Sequence, residues 1–190
     1  MIMPMFVLGI MYNTLQGIMP KIFEERMVLS LDGKIELIGT IIGIIYAVGA
    51  FTQLLGGYLA DRISPKIIYV SLWFFQAPLI FLFAVSYELP LALIAGLLTI
   101  IGTSILPAEN IMLSKFAPSN HQGLVFGIKY VVAFGAAPLG VYLTTISRET
   151  TGEFTYLLLG YSCIAVCAFV VTLFLPDSSK SSSLKLVTNQ

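Results

Sequence analysis

Long apolar stretches, bounded by charged residues, glycine or proline, dominate the hydrophobic pattern of the chain. A membrane-spanning helix needs about 20 predominantly apolar residues, and six of the stretches reach that length. The pattern therefore predicts an all-α, polytopic membrane protein with six transmembrane helices. They are placed at about residues 1–19, 35–60, 67–86, 90–113, 124–146 and 154–175.

Composition narrows the class of protein further. Hydrophobic residues make up 57% of the chain and charged residues 11%, and the mean hydropathy is +0.93. Soluble domains carry about 25% charged residues, so an ordinary soluble domain is excluded. The formal net charge is zero, which gives no reason to expect a nucleic-acid partner.

The pattern predicts one domain followed by a tail. Residues 1–176 form the transmembrane domain, and residues 177–190, rich in serine and lysine, are predicted to be a disordered cytoplasmic tail because they have nothing to bury. Cys163 and Cys167 are four residues apart in the sixth span. They are interpreted as small buried side chains rather than as a disulfide or a metal pair.

The loop between the second and third spans carries a recognisable motif. It reads GYLADRISPK over residues 57–66 and resembles the signature loop of the major facilitator superfamily. Ser64 and Pro65 depart from the family pattern, which usually has glycine and a basic residue there. The matching residues are Gly57, Leu59, Asp61, Arg62 and Lys66.

A second stretch resembles the tenth and eleventh helices of the same family. It comprises PAEN at residues 107–110, Pro118, GLVFG at residues 123–127 and Phe134-Gly135. The resemblance implies one half, the C-terminal six-helix half, of a secondary transporter that moves a small-molecule substrate by alternating access. Because a facilitator cavity forms between two halves, the chain is expected to be a C-terminal fragment. Its partner would be the missing N-terminal six-helix half or a second copy.

The resemblance also implies a role for the loop as a gating motif made of Gly57, Asp61, Arg62 and Lys66. Asp61 would hold the cytoplasmic side closed against the start of the fifth span near Gly123, because a helix N-terminus favours a carboxylate. The alternative is that these charges only solvate a tight turn and set the topology.

Two ionisable residues, Glu109 and Lys129, lie inside predicted spans and are functional candidates for that reason. At a rise of 1.5 Å per residue, both lie about 7 to 9 Å inside the same membrane boundary and could form an ion pair. Three roles stay open for the pair. They are an inner gate, a proton-coupling site at Glu109, and a carboxylate-binding site at Lys129.

Polar residues near the centre of the first span supply further candidates. Tyr12 and Asn13 lie four and three residues before Gln16, so the three share one helical face. The resemblance implies that the first and fourth helices line the central cavity, whereas the third and sixth resemble peripheral, lipid-facing helices. The alternative is that the polar groups only form interhelical hydrogen bonds of about 0.6 kcal/mol each. The translocation candidates are Tyr12, Asn13, Gln16, Glu109, Asn110 and Lys129.

Small residues and prolines suggest how the spans pack. Gly39 with Gly43, and Ala136 with Gly140, are pairs that permit close helix approach. Proline within a span removes an amide donor and is expected to kink the helix. Three spans carry one, at Pro78, Pro107 and Pro138.

Charge distribution predicts the orientation. With an even number of spans, both termini lie on the side of the second-to-third and fourth-to-fifth loops. That side carries five Lys and Arg against four on the other, so both termini are predicted to be cytoplasmic. The expected location is the cell (inner) membrane.

Two other classes of function compete with transport. A non-transporting six-helix assembly or structural protein fits the hydropathy pattern alone. An intramembrane enzyme is a weaker alternative, because His121 is the single histidine and no nucleophile motif accompanies it. One histidine and two cysteines do not make a typical zinc site. The chain is therefore not expected to be an enzyme, and no catalytic, metal or cofactor-binding residue is assigned.

Overall fold

The computed structural model describes residues 2–31 and 34–175. Within these residues the chain forms eight α-helices, a short 3-10 turn at Ser119–His121 and no strand. The helices are α1 (Ile2–Arg26), α2 (Val28–Leu31), α3 (Ile35–Arg62), α4 (Pro65–Val85), α5 (Glu88–Phe116), α6 (Gln122–Gly135), α7 (Ala137–Thr151) and α8 (Thr155–Leu173).

Five helical segments are long and apolar enough to cross a membrane. They are Glu36–Arg62, Pro65–Val85, Glu88–Phe116, Gln122–Thr151 and Thr155–Leu173. Helix α1 is not among them. The described residues therefore form an all-α, polytopic membrane protein, as the hydropathy pattern predicts. The predicted tail at residues 177–190 lies outside the described residues.

The first and fifth predicted spans need correction. Helix α1 does not end at Pro20 but continues to Arg26, because Ile22 and Phe23 are fully buried and favour one more helical turn. The fifth span is not one helix, since α6 and α7 are separated at Ala136. Pro138, which lies in the first turn of α7, cannot donate an amide hydrogen bond to the preceding turn, and this accounts for the interruption.

Helix α4 packs against two other long helices, α5 and α8. Helix α5 also packs against α3, and α1 packs mainly against α6 and α7. Tyr69, Trp73 and Gln76 of α4 are buried. One face of this span, which is predicted to be peripheral and lipid-facing, therefore joins the core, while its opposite face is exposed.

Small residues bring α3 and α5 close together. A Cβ atom added at Gly49 would lie 2.9 Å from Cγ2 of Thr99, and one at Gly56 would lie 3.2 Å from Cα of Ser104. The Thr103 hydroxyl donates to the Gly49 carbonyl at 3.1 Å. Because glycine has no side chain, α3 approaches the backbone of α5 closely at these two positions, and this contact holds α5 in place.

The structure bears out one of the two predicted small-residue pairs. Gly39 and Gly43 face open space, so they do not mediate contact in the described part of the chain. A Cβ atom added at Gly140 would overlap the Thr14 hydroxyl oxygen, which confirms close approach of α7 to α1. Ala136 is also fully buried.

The two cysteines are exposed, not buried as predicted, and neither forms a disulfide. Helix α8 packs through a stripe of positions on its opposite side, which places both thiols on the outer surface. The buried positions of α8 are Leu158, Tyr161, Ala165, Ala168 and Thr172.

Candidate functional site

A buried ion pair joins α5 to α6. Nζ of Lys129 lies 2.6 Å from Oε1 of Glu109, and the side chains are 4% and 1% exposed. The predicted pairing is confirmed. Removal of either partner would leave a buried, uncompensated charge, which typically costs about 3–5 kcal/mol.

Hydrogen bonds complete the surroundings of this pair. The Tyr69 hydroxyl of α4 donates to Oε2 of Glu109 at 3.2 Å, and Nζ of Lys129 donates to Oδ1 of Asn110. Both carboxylate oxygens and the ammonium group are therefore held by neighbours from three helices. Tyr69 also lies edge-on to Trp73, with ring centroids 6.4 Å apart.

Sequence reasoning missed Tyr69. The available signal was its spacing from Trp73 and Gln76, which places all three on one face of an otherwise apolar helix. A polar stripe on a span that otherwise looks lipid-facing indicates contact with the protein interior.

A cavity of about 310 Å³ adjoins the ion pair. Its walls come from α1, α3, α5 and α6, and it brings together every translocation candidate predicted from the sequence. They are Tyr12, Asn13, Gln16, Glu109, Asn110 and Lys129. Gln53 of α3 also lines it and was not predicted, since a single amide in an apolar span has no distinguishing spacing.

The wall formed by α6 is aromatic. Tyr130 and Phe134 stack with ring centroids 6.0 Å apart, and both line the cavity together with the amides of α1. The volume lies at the lower end of the range for small-molecule sites, about 300–1,000 Å³. The cavity thus combines an apolar surface, several hydrogen-bonding groups and an ion pair without net charge.

Close packing sets the position of α1 in this wall. A Cβ atom added at Gly9 would lie 2.6 Å from the Ala133 carbonyl oxygen, so only glycine permits this approach to α6. The Asn13 amide donates to the Gly9 carbonyl at 2.7 Å, and the Tyr46 hydroxyl of α3 donates to the Gln16 carbonyl at 3.1 Å. Contacts with α6 and α3 therefore fix α1 along its polar face.

The predicted gating motif lies away from the cavity, at the joint between α3 and α4. Gly57 faces Pro107 of α5, with 3.8 Å between an added Cβ atom and Cβ of that proline. The Arg62 guanidinium lies 4.5 Å from the Tyr58 ring centroid. The Asp61 carboxylate is exposed, and it forms no hydrogen bond or ion pair with the part of the chain that the structure describes. Lys66 is half-buried.

The comparisons with known proteins agree with this picture. A family model described as Major Facilitator Superfamily matches residues 1–189. No curated protein matches the chain significantly. Because the family match covers nearly the whole chain, and the described residues form a helical membrane bundle with a polar cavity, the chain belongs to the major facilitator superfamily, a family of secondary transporters.

Proposed function

We propose that this protein moves a small solute across the membrane by alternating access, and that the cavity between α1, α3, α5 and α6 is the solute site. The observation that carries the proposal is the convergence of six polar side chains, among them a buried ion pair, on one cavity. A merely structural assembly gives no reason to retain a buried charge pair beside an open cavity, because such groups are costly in a membrane.

The Glu109–Lys129 pair acts in this proposal as a gate at one end of the cavity. It joins α5 to α6, and Tyr69 ties it to α4. Separation of α6 from α5 would expose both charges, so the pair resists that movement until water or solute replaces the lost contacts. Proton coupling at Glu109 and carboxylate binding at Lys129 are the alternative uses of the same groups.

Helix α1 is the sixth membrane span in this proposal. Its 25 residues give a length of about 37 Å, which exceeds the thickness of the hydrocarbon core. Its lower apolarity has a local cause, because Tyr12, Asn13 and Gln16 line the cavity. With six spans the two termini lie on one side, which we assign to the cytoplasm of a cell membrane.

A second six-helix unit completes the cavity. The polar wall residues Tyr12, Asn13, Gln16, Gln53 and Asn110 are all half-buried at the surface of the described bundle. Exposure of these groups to lipid would be unfavourable, and a covering bundle removes that cost. The occupant is an N-terminal six-helix half or a second copy of this chain.

The gating motif contributes the cytoplasmic latch. Asp61 is exposed at the end of α3 and can accept hydrogen bonds from unpaired backbone amides at the start of α6 near Gly123, where the helix dipole favours a negative charge. Formation of that contact closes the cytoplasmic side, and its loss permits the inward-open state.

Thiol labelling from each side of the membrane in turn tests alternating access. In a background with Cys163→Ala and Cys167→Ala, Asn13→Cys reports on the cavity and Ile80→Cys, at a fully buried core position, is the matched control. A membrane-impermeant trimethylammonium methanethiosulfonate should modify the thiol at position 13 both in intact cells and in inverted vesicles. It should modify the thiol at position 80 in neither. Reaction at position 13 from one side only, or from neither side, contradicts the proposal.

Uptake profiling tests transport itself. Cells that express Glu109→Gln should lose most of the uptake of a solute that wild-type cells deplete from the medium, because the substitution leaves the buried Lys129 charge without its partner. Glu149→Gln, at an exposed acid outside the cavity, is the control and should leave that uptake unchanged. Identical depletion by wild-type cells and cells without the protein favours the non-transporting assembly.

A further inference from the structure

Close packing holds Tyr69 of α4 beside the ion pair. The residue is only 1% exposed, and the neighbouring Trp73 is fully buried. Their rings meet edge to face at an angle of 80°, and the Tyr69 hydroxyl reaches Oε2 of Glu109. Densely packed interiors leave an aromatic side chain few other positions. The hydroxyl therefore stays directed at this carboxylate.

The Glu109 carboxylate divides its two oxygens between two helices. Oε1 lies 2.6 Å from Nζ of Lys129 in α6, whereas Oε2 accepts the hydrogen bond from Tyr69 in α4 at 3.2 Å. The Glu109 side chain is only 1% exposed, so water has little access to replace either partner, and an unpartnered oxygen would be costly. Each partner thus satisfies the oxygen that the other leaves free.

The two partners of Glu109 belong to differently packed parts of the bundle. Helix α4 packs extensively against α5, which carries Glu109, and α5 also packs extensively against α3. Helix α6 packs mainly against α1 and only lightly against α5. The polar contacts of Lys129 with Glu109 and Asn110 are therefore prominent in the link between α5 and α6. When this link opens, the lysine leaves with α6, and Tyr69 stays with the carboxylate.

We propose that Tyr69 is a positioning residue of the gate, which holds Glu109 as the stationary partner to which Lys129 returns each time the gate closes. The inference rests on the proposed function, because it requires that the ion pair opens and closes beside the cavity. It goes further by giving the two charges unequal roles, since Glu109 stays with α4 and α5 while Lys129 moves with α6. Tyr69 is not among the described lining residues of the solute cavity, so it acts through Glu109.

Loss of the Tyr69 hydroxyl should weaken the closed gate more than the open one. In the closed state Oε2 of Glu109 would be buried without a partner, whereas water can reach the carboxylate once Lys129 has left. Tyr69→Phe removes only the hydroxyl and keeps the ring that contacts Trp73. Because a buried, unsatisfied acceptor changes an equilibrium by about fivefold or more, the substitution should shift the gate toward the open state by about fivefold.

Labelling of Asn13→Cys from the two sides of the membrane measures this shift. The trimethylammonium methanethiosulfonate reagent and the background without Cys163 and Cys167 are the same as above, and the ratio of the labelling rates in inverted vesicles and in intact cells is compared between variants. Glu109→Gln removes the negative charge of the pair and defines the direction of change for an opened gate. Tyr69→Phe should change the ratio in the same direction by about fivefold. In the Glu109→Gln background it should add little, because no carboxylate remains to be positioned.

Tyr161→Phe is the matched control. Tyr161 of α8 is also buried, at 2% exposure, and its hydroxyl donates to the Thr14 hydroxyl at 3.1 Å rather than to a member of the ion pair. The substitution therefore removes a comparable buried hydrogen bond and should leave the ratio of labelling rates unchanged. An equal change in Tyr161→Phe and Tyr69→Phe would mean that loss of any buried hydroxyl loosens the bundle, and would overturn the inference.

The remaining outcomes separate this inference from the proposed function. If Glu109→Gln changes the ratio and Tyr69→Phe does not, the gate stands and the positioning role of Tyr69 is wrong. Fully additive effects of the two substitutions overturn that role as well, since Tyr69 would then act independently of the carboxylate. An unchanged ratio in Glu109→Gln, or no labelling at position 13 in any variant, overturns the gate in the proposed function and the inference with it.

Discussion

The two ends of the helical bundle differ in how their charged residues are partnered. At one end Arg26, the last residue of α1, is buried and donates to the Ala84 carbonyl of α4 at 2.7 Å. It also donates to the Thr155 hydroxyl of α8 at 2.7 Å. The Arg26 guanidinium thus donates hydrogen bonds to carbonyl groups at the end of α4 that lack helical partners. It also joins α1 to both α4 and α8.

Two further contacts strengthen the same end. Arg148 of α7 lies 2.6 Å from the Glu25 carboxylate of α1, and the backbone amide of Leu29 donates to Oε1 of Glu88 at 3.1 Å. All of these contacts join residues that are distant in the sequence. We call the residues Glu25, Arg26, Glu88, Arg148 and Thr155 the anchored end.

The opposite end, defined by Asp61, Arg62 and Lys66, lacks such contacts among the described residues. Asp61 and Arg62 are exposed, and Arg62 contacts the ring of Tyr58, in its own helix. The difference indicates that the anchored end is fixed by contacts among the described helices. Asp61 and Arg62 make no such contacts with other described helices, as the proposed latch requires.

In the comparison of the two ends, the largest expected effect comes from Arg26→Ala. The substitution leaves backbone carbonyls at the end of α4 without donors, so the free energy of unfolding should fall by about 2–3 kcal/mol. Arg62→Ala is the matched control at the gating motif and should change it by less than about 0.5 kcal/mol. Denaturation in mixed micelles with increasing dodecyl sulfate measures both. Equal effects would remove the distinction between the two ends.

A smaller effect is expected for the ion pair between α1 and α7. A double-mutant cycle with Glu25→Gln and Arg148→Gln should give a coupling energy of at most about 1 kcal/mol, because both side chains are partly exposed. The coupling should decrease as salt concentration rises. A coupling energy that is zero at low salt would show that this ion pair adds nothing to the anchored end.

The smallest effect on stability is expected for Asp61→Asn. It removes no contact within the described bundle, so the free energy of unfolding should change by less than about 0.5 kcal/mol. If the residue is the cytoplasmic latch, however, labelling of Asn13→Cys should shift toward the cytoplasmic side. A loss of stability comparable to that of Arg26→Ala, or unchanged labelling, contradicts the proposed role.

Much of the cavity was predictable from the sequence. Charge and amide groups inside apolar spans are so unfavourable in lipid that their presence alone marks an interior or cavity-facing surface. That argument identified Glu109 and Lys129, and their equal depth predicted the pair. Helical spacing in the same way placed Tyr12, Asn13 and Gln16 on one face of the first span, and all three line the cavity.

The sequence by itself determined the all-α membrane class, the approximate positions of the spans and the polar groups that face inward, because lipid imposes these through hydropathy and spacing. Tertiary structure alone decided which neighbours those groups meet. Packing buried Tyr69 and Gln76 on a span that looked peripheral, left Cys163 and Cys167 exposed, and made Arg26 a link between three helices. A single span's pattern shows that a face is polar, whereas only the arrangement of helices shows what that face contacts.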